Sequence, residues 1–234
     1  MSSQVLATIF HFVAFAYYCY VYAYYKMEVD LKLPHHNSFG GDLKFLTVWC
    51  TLFQILYFFV CCVTDLILTS GSRTRIGQTF LGLRDWFYCS VAFPITLLVG
   101  LMYWGIYAID RELIYPVRIQ DVYPMWLSHC MHTYIVFIML LEAYLLKHKQ
   151  PSRKSGMLGL LVVGLSYLLW MLYLGFVKDL WVYPFLQELE GVYFVIFVLV
   201  TASFLAALYF AAERCNLVFG KNKPDPDLMY SKID

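Results

Sequence analysis

Phe45–Thr64 reads FLTVWCTLFQILYFFVCCVT, without a single Asp, Glu, Lys or Arg. A helix rises about 1.5 Å per residue and a bilayer's hydrocarbon core is about 30 Å thick, so roughly 20 apolar residues cross it once. Five further stretches share this character: Met1–Tyr25, Trp86–Ile109, Val122–Leu141, Ser155–Val177 and Gly191–Ala212. Continuous apolar runs do not carry the alternation of a barrel strand. Backbone groups in lipid must be satisfied within the segment, so the expected fold is all-α, a six-helix transmembrane bundle.

The whole chain agrees with that reading. Its 234 residues are 61% hydrophobic and only 14% charged, whereas soluble domains run near 45–50% apolar and about 25% charged. A net charge of +1 without basic clusters excludes a nucleic-acid partner. Disorder is excluded by the amount of apolar surface. No GxxxxGK[ST], GxGxxG or GxSxG is present, so nucleotide binding and ordinary serine hydrolysis lack their signatures.

The first apolar stretch has no basic n-region and ends in tyrosines rather than small residues, so it reads as a retained helix. With six spans both termini share one side. That side carries eleven Lys and Arg residues against six on the other, which favours cytoplasmic termini. The expected division is a six-helix domain over residues 1–220 and a flexible polar tail over 221–234. The seven cysteines fall within or at the ends of the helices and do not form a disulfide framework; Cys215, just past the sixth apolar stretch, is a candidate for palmitoylation. Arg84-Asp85 reads as an ion pair or cap at the cytoplasmic start of the third helix.

Ionisable groups inside a span are costly and mark candidate sites. His129 and His132, spaced i, i+3, share a face of the fourth helix, and Glu142 lies further along it. Three readings compete for the pair: plain hydrogen bonding, a metal site, or acid–base catalysis. One HxxH supplies two ligands only, and His11 and His148 lie toward the other membrane half, so no metal and no cofactor are expected. A neutral imidazole can activate a hydroxyl nucleophile at the same depth. His129 and His132 lie roughly 8 and 12 Å in from Pro124, and Thr47 and Thr51 roughly 5 and 10 Å in from Lys44. Depth therefore brings two threonines and two histidines together without choosing among them. For each threonine the plain alternative is a hydroxyl bonded to its own helix backbone.

A set of strings in chain order adds a further signal. Gly40-Gly41-Asp42-Leu43-Lys44-Phe45-Leu46-Thr47, Leu83-Arg84-Asp85-Trp86, Ala92-Phe93-Pro94, Asp110-Arg111-Glu112-Leu113-Ile114-Tyr115-Pro116, Trp126-Leu127-Ser128-His129-Cys130-Met131-His132-Thr133, Gln150-Pro151-Ser152-Arg153 and Trp181-Val182-Tyr183-Pro184-Phe185 resemble the androgen-induced protein family, which includes the androgen-dependent TFPI-regulating protein. The resemblance covers nearly the whole chain. It implies a multi-pass hydrolase of fatty acid esters of hydroxy fatty acids, with a threonine nucleophile and an essential histidine. Carried over by motif, these are Thr47 and His132; His129, Thr51 and Ser128 are possible supporting residues. The family pattern has Asn-His where this chain has Ser128-His129, a departure that opens the role of position 128.

The implied partners are the bilayer and a branched fatty acid ester, and the expected location is the plasma membrane or the endoplasmic reticulum membrane. A non-catalytic lipid-binding or partner-modulating protein is the alternative. A channel or transporter is disfavoured, because the spans hold few ionisable groups and show no convincing inverted repeat. Tyr-Pro at 115–116, 123–124 and 183–184 falls on the outer side, either as a rim over the site or as interfacial anchors beside helix-starting prolines.

Overall fold

The computed structural model describes residues 3–33, 36–69, 74–183, 186, 189, 191–221 and 223. Among these the fold is all-helical. Six helical segments are long and apolar enough to cross a membrane: Val5–Lys32, Leu46–Thr69, Arg75–Ile109, Met125–Leu145, Arg153–Val177 and Val192–Gly220. They give the chain the architecture of a multi-pass membrane protein.

The elements are α1 (Ser3–Tyr24), α2 (Leu46–Thr69), α3 (Arg75–Phe87), α4 (Phe93–Ile109), α5 (Met125–His132), α6 (Tyr134–Leu145), α7 (Arg153–Leu172) and α8 (Val192–Gly220). A wide turn at Tyr88–Ala92 joins α3 to α4 in one span. Pro94, beside this turn, lacks an N–H and its ring would clash with the carbonyl four residues back; a widened turn accommodates it. Pro124, extended at φ −69°, ψ 148°, starts the fourth span. That span is interrupted at Thr133, where φ is −103° and the chain turns between α5 and α6.

Tyr18, Tyr57, Phe58, Tyr88, Phe93 and Met139 form the centre of the core. Val192, Val195, Leu199 and Val200 of α8 face outward, as do Leu158, Leu161 and Leu165 of α7. In water such a surface would be an aggregation hazard; against acyl chains it is the complementary one.

Helix ends differ from those expected at the charges. The third span begins at Arg75, capped by Thr74, whose side chain accepts from the Gly77 N–H. Arg84 and Asp85 therefore lie well inside a helix and are 0% and 3% exposed, which corrects their placement at its cytoplasmic start. The guanidinium donates from Nη2 to Asp85 Oδ1 at 2.8 Å, a pairing that allows both charges to be buried. The first span likewise continues past Lys26 to Lys32, beyond the end of α1, and Lys26 Nζ meets Asp30 Oδ2 at 2.6 Å. Of the expected tail, all but Lys221 and Lys223 lies outside the described residues; Lys223 Nζ donates to the Ala143 and Tyr144 carbonyls at the end of α6.

Candidate active site

Gly40 and Gly41 adopt φ of +80° and +50°, which side-chain-bearing residues seldom tolerate, and turn the chain into α2. The entry is held by Tyr167, whose hydroxyl donates to the Lys44 carbonyl at 3.0 Å and accepts from the Leu46 N–H at 3.2 Å. Burial lowers the pKa of the neighbouring Lys44 ammonium, which donates to Ser38. Thr47 thus sits in the first turn of α2, where the peptide dipoles leave partial positive charge.

Across the bundle stands His132, 5% exposed, at the end of α5. Its Nε2 lies 3.2 Å from Thr47 Oγ1, and its Nδ1 lies 2.9 Å from the Ser128 carbonyl oxygen. A carbonyl only accepts, so Nδ1 carries a proton. The neutral ring then offers its Nε2 lone pair to the Thr47 hydroxyl, which donates. The orienting group is a backbone carbonyl on the histidine's own helix.

Depth left two threonines open, and the contacts separate them. Thr51 Oγ1 donates to the Thr47 carbonyl at 3.0 Å, the ordinary back-bond of a helical threonine. Thr47 turns its hydroxyl to the imidazole instead. The two histidines separate in the same way: His129 Nδ1 lies 3.1 Å from Thr133 Oγ1, and its ring stacks at 5.1 Å on Trp104. Ser128 contributes twice, through its carbonyl and through its Oγ, which accepts from Tyr103 at 3.2 Å.

Thr47, Ser128 and His132 open onto a cavity of about 600 Å³ lined by residues from all six spans and dominated by apolar side chains. Tyr103 was not anticipated from the sequence. Its ring lies 3.7 Å from that of His132, and nothing in a run of membrane tyrosines marks it. Gly100, one turn earlier in α4, has a hydrogen where a Cβ would stand 2.9 Å from the His132 carbonyl oxygen. Tyr115, Pro116 and Tyr123 line the cavity wall, Tyr115 donating to the Tyr123 carbonyl at 2.6 Å. Tyr183 lines it too, and Pro184 lies outside the described residues. Glu112 and Arg118, from the loop between α4 and α5, are the charged residues on the wall.

Residues 6–217 match the family model described as FAR-17a/AIG1-like protein. The chain is 36% identical over 205 residues to the androgen-induced gene 1 protein of Homo sapiens, covering 85% of each. It is 32% identical over 212 residues to the human androgen-dependent TFPI-regulating protein, covering 89% of this chain and 90% of that protein. The Mesocricetus auratus androgen-dependent TFPI-regulating protein is also 32% identical, over 210 residues. No solved structure matches. With its matched region running from the first span to the last, this chain belongs to the FAR-17a/AIG1-like family.

Proposed function

We propose that the protein is a membrane-embedded carboxylic ester hydrolase that cleaves fatty acid esters of hydroxy fatty acids, with Thr47 as nucleophile and His132 as general base. The observation that carries this reading is the 3.2 Å approach of Thr47 Oγ1 to His132 Nε2 at the wall of an apolar cavity. Substrate class comes from the family resemblance, and the cavity's apolar lining suits acyl chains. The Arg118 guanidinium on the cavity wall meets the substrate's free carboxylate in this reading.

The chemistry follows from the hydrogen bonds. As Thr47 Oγ1 attacks the ester carbonyl carbon, its proton passes to Nε2, and His132 becomes an imidazolium held by the Ser128 carbonyl. The tetrahedral oxyanion forms beside the first turn of α2, whose dipole opposes its charge. Collapse breaks the bond to the hydroxy fatty acid, whose oxygen takes the proton from Nε2. His132 then removes a proton from water, which attacks the acyl-threonine; collapse breaks the bond to Thr47 Oγ1, which takes the proton back from Nε2, and the second fatty acid is freed. No metal or cofactor enters these steps.

The excess of Lys and Arg on the side of the termini supports cytoplasmic ends, which sets the ester-binding site toward the outer or lumenal leaflet of the plasma membrane or endoplasmic reticulum. Residues 1–220 act as one catalytic unit. The competing reading is a non-catalytic lipid-binding protein, favoured only by the apolar character of the cavity. Incubation with a branched fatty acid ester and mass spectrometry on the Thr47 peptide decides between them. Acyl-Thr47 supports the hydrolase; bound lipid without adduct or turnover overturns it.

A further inference from the structure

A second constellation lies apart from Thr47 and His132, at the end of the bundle where the fourth span finishes. His11 of α1, Cys61 and Asp65 of α2, Asp85 of α3, Glu142 of α6 and His148 beyond α6 converge there, none more than 3% exposed. One ligand atom each from His11, Cys61 and Glu142 lies within 4.8 Å of the others. We propose that His11 Nε2, Cys61 Sγ and a Glu142 carboxylate oxygen, joined by His148 Nε2, bind a divalent first-row cation of the zinc type.

Both histidines have the same polarity. His11 Nδ1 lies 2.7 Å from Asp65 Oδ2 and its Nε2 lies 3.1 Å from Glu142 Oε2. His148 Nδ1 lies 3.0 Å from Asp85 Oδ1 and its Nε2 lies 3.2 Å from Glu142 Oε1. Each ring is thus turned by an aspartate on Nδ1 so that Nε2 points at one glutamate. Imidazoles that bind zinc are oriented in this way by a carboxylate on the other nitrogen. His148 Nε2 is close to Glu142 yet makes no aligned hydrogen bond to any described residue. It is a buried donor atom aimed into the site.

Charge argues in the same direction. Three buried carboxylates face the Arg84 guanidinium and two imidazoles. With the imidazoles neutral and Cys61 a thiolate, as ligands must be, three negative charges remain, two of which a dication offsets. Nitrogen, sulfur and oxygen donors in a set of four suit zinc, which takes all three in tetrahedral geometry. Asp85 is fixed by Arg84 and by the Lys149 N–H at 3.0 Å, and His148 by Asn216, whose side chain bonds both its N–H and its carbonyl. The cation would tie α1, α2, α6 and the chain beyond α6 into one unit. Glu142 stands ten residues along the fourth span from His132, roughly 15 Å at helical rise, so this is not the proposed ester site.

The full chain, purified in detergent without chelator, is assayed by elemental analysis and after replacement of the metal by Co(II). About one zinc per chain is expected. The Co(II) form is expected to show a thiolate-to-metal charge-transfer band that Cys61→Ser abolishes, and Glu142→Gln is expected to lower metal content at least tenfold. Thr47→Ala is expected to keep its zinc, which separates this site from the ester chemistry. A metal-free protein that also fails to take up added Zn(II) overturns the proposal and leaves the cluster balanced by protons. Unchanged metal content together with an unchanged Co(II) spectrum in Cys61→Ser overturns it as well. Should Glu142→Gln fail to fold, the wild-type metal content and the Cys61→Ser spectrum decide.

Discussion

Tyr103 lies flat on His132, their ring centroids 3.7 Å apart and their planes 14° from parallel. The same tyrosine donates to Ser128 Oγ, so it steadies both the imidazole and the turn whose carbonyl orients that imidazole. Removing the plate by Tyr103→Ala forfeits a stack worth about 0.5–1.5 kcal/mol and leaves the ring free to tilt. A roughly 2- to 10-fold loss in ester kcat/KM is expected. Tyr103→Phe, which keeps the stack, is expected to fall between this variant and the wild type.

Thr47→Ala and His132→Ala remove the proposed nucleophile and the proposed base, and each is expected to reduce turnover by at least about 100-fold while the chain still folds and inserts. Thr47→Ser keeps a hydroxyl at the same position and is expected to retain measurable activity. Thr51→Ala loses only a back-bond to the Thr47 carbonyl and is expected to stay within a few-fold of wild type. Equal loss in Thr47→Ala and Thr51→Ala would argue against the assignment.

Ser128→Ala separates side chain from backbone. The carbonyl that accepts from His132 Nδ1 survives this substitution, and only the hydroxyl that meets Tyr103 is lost. Activity is expected to fall by less than about 10-fold, the effect of a single neutral hydrogen bond of about 1 kcal/mol. A loss as deep as that of His132→Ala would assign the serine hydroxyl a direct part in the chemistry.

At Gly100 a methyl group meets the His132 carbonyl oxygen at 2.9 Å and Val136 Cγ2 at 2.6 Å. The carbonyl is backbone and cannot rotate away, so Gly100→Ala pushes α4 off the turn that carries His132. Overpacking of this kind costs about 1–3 kcal/mol. Thermal unfolding is expected to move to lower temperature, with a loss of kcat/KM larger than that of Ser128→Ala.

Arg118→Gln removes the positive charge from the cavity wall. If the guanidinium meets the substrate's free carboxylate, KM rises for the acid with kcat little changed, and a methyl-esterified substrate shows no such difference. Charge-assisted hydrogen bonds of this sort are worth about 1.5–3 kcal/mol, roughly a 10- to 100-fold effect.

Six crossings were readable from composition alone, because a run of uncharged apolar residues in lipid has no option but to satisfy its backbone as a helix. Helix ends were read less well. Charges read as boundaries in the sequence, whereas Arg84 and Asp85 are buried within a continuing helix because they pair with one another and Asp85 also pairs with His148. A compensated charge does not stop a helix, and compensation by residues distant in the chain leaves no local trace.

The same distinction runs through the candidate site. Rise per residue brought Thr47, Thr51, His129 and His132 to one depth, and motif resemblance singled out Thr47 and His132. Rotation about each helix axis, which decides whose hydroxyl faces whose ring, is set by how the spans pack. That packing depends on Gly100 admitting α4 to the His132 carbonyl and on the turn at Thr133 re-aiming α5. His11 and Glu142, 131 residues apart, meet for the same reason. Linear order determined that this chain is a bundle of membrane-crossing helices with polar groups inside it; three-dimensional packing alone decided which of those groups touch, because contact across helices depends on azimuth and not on depth.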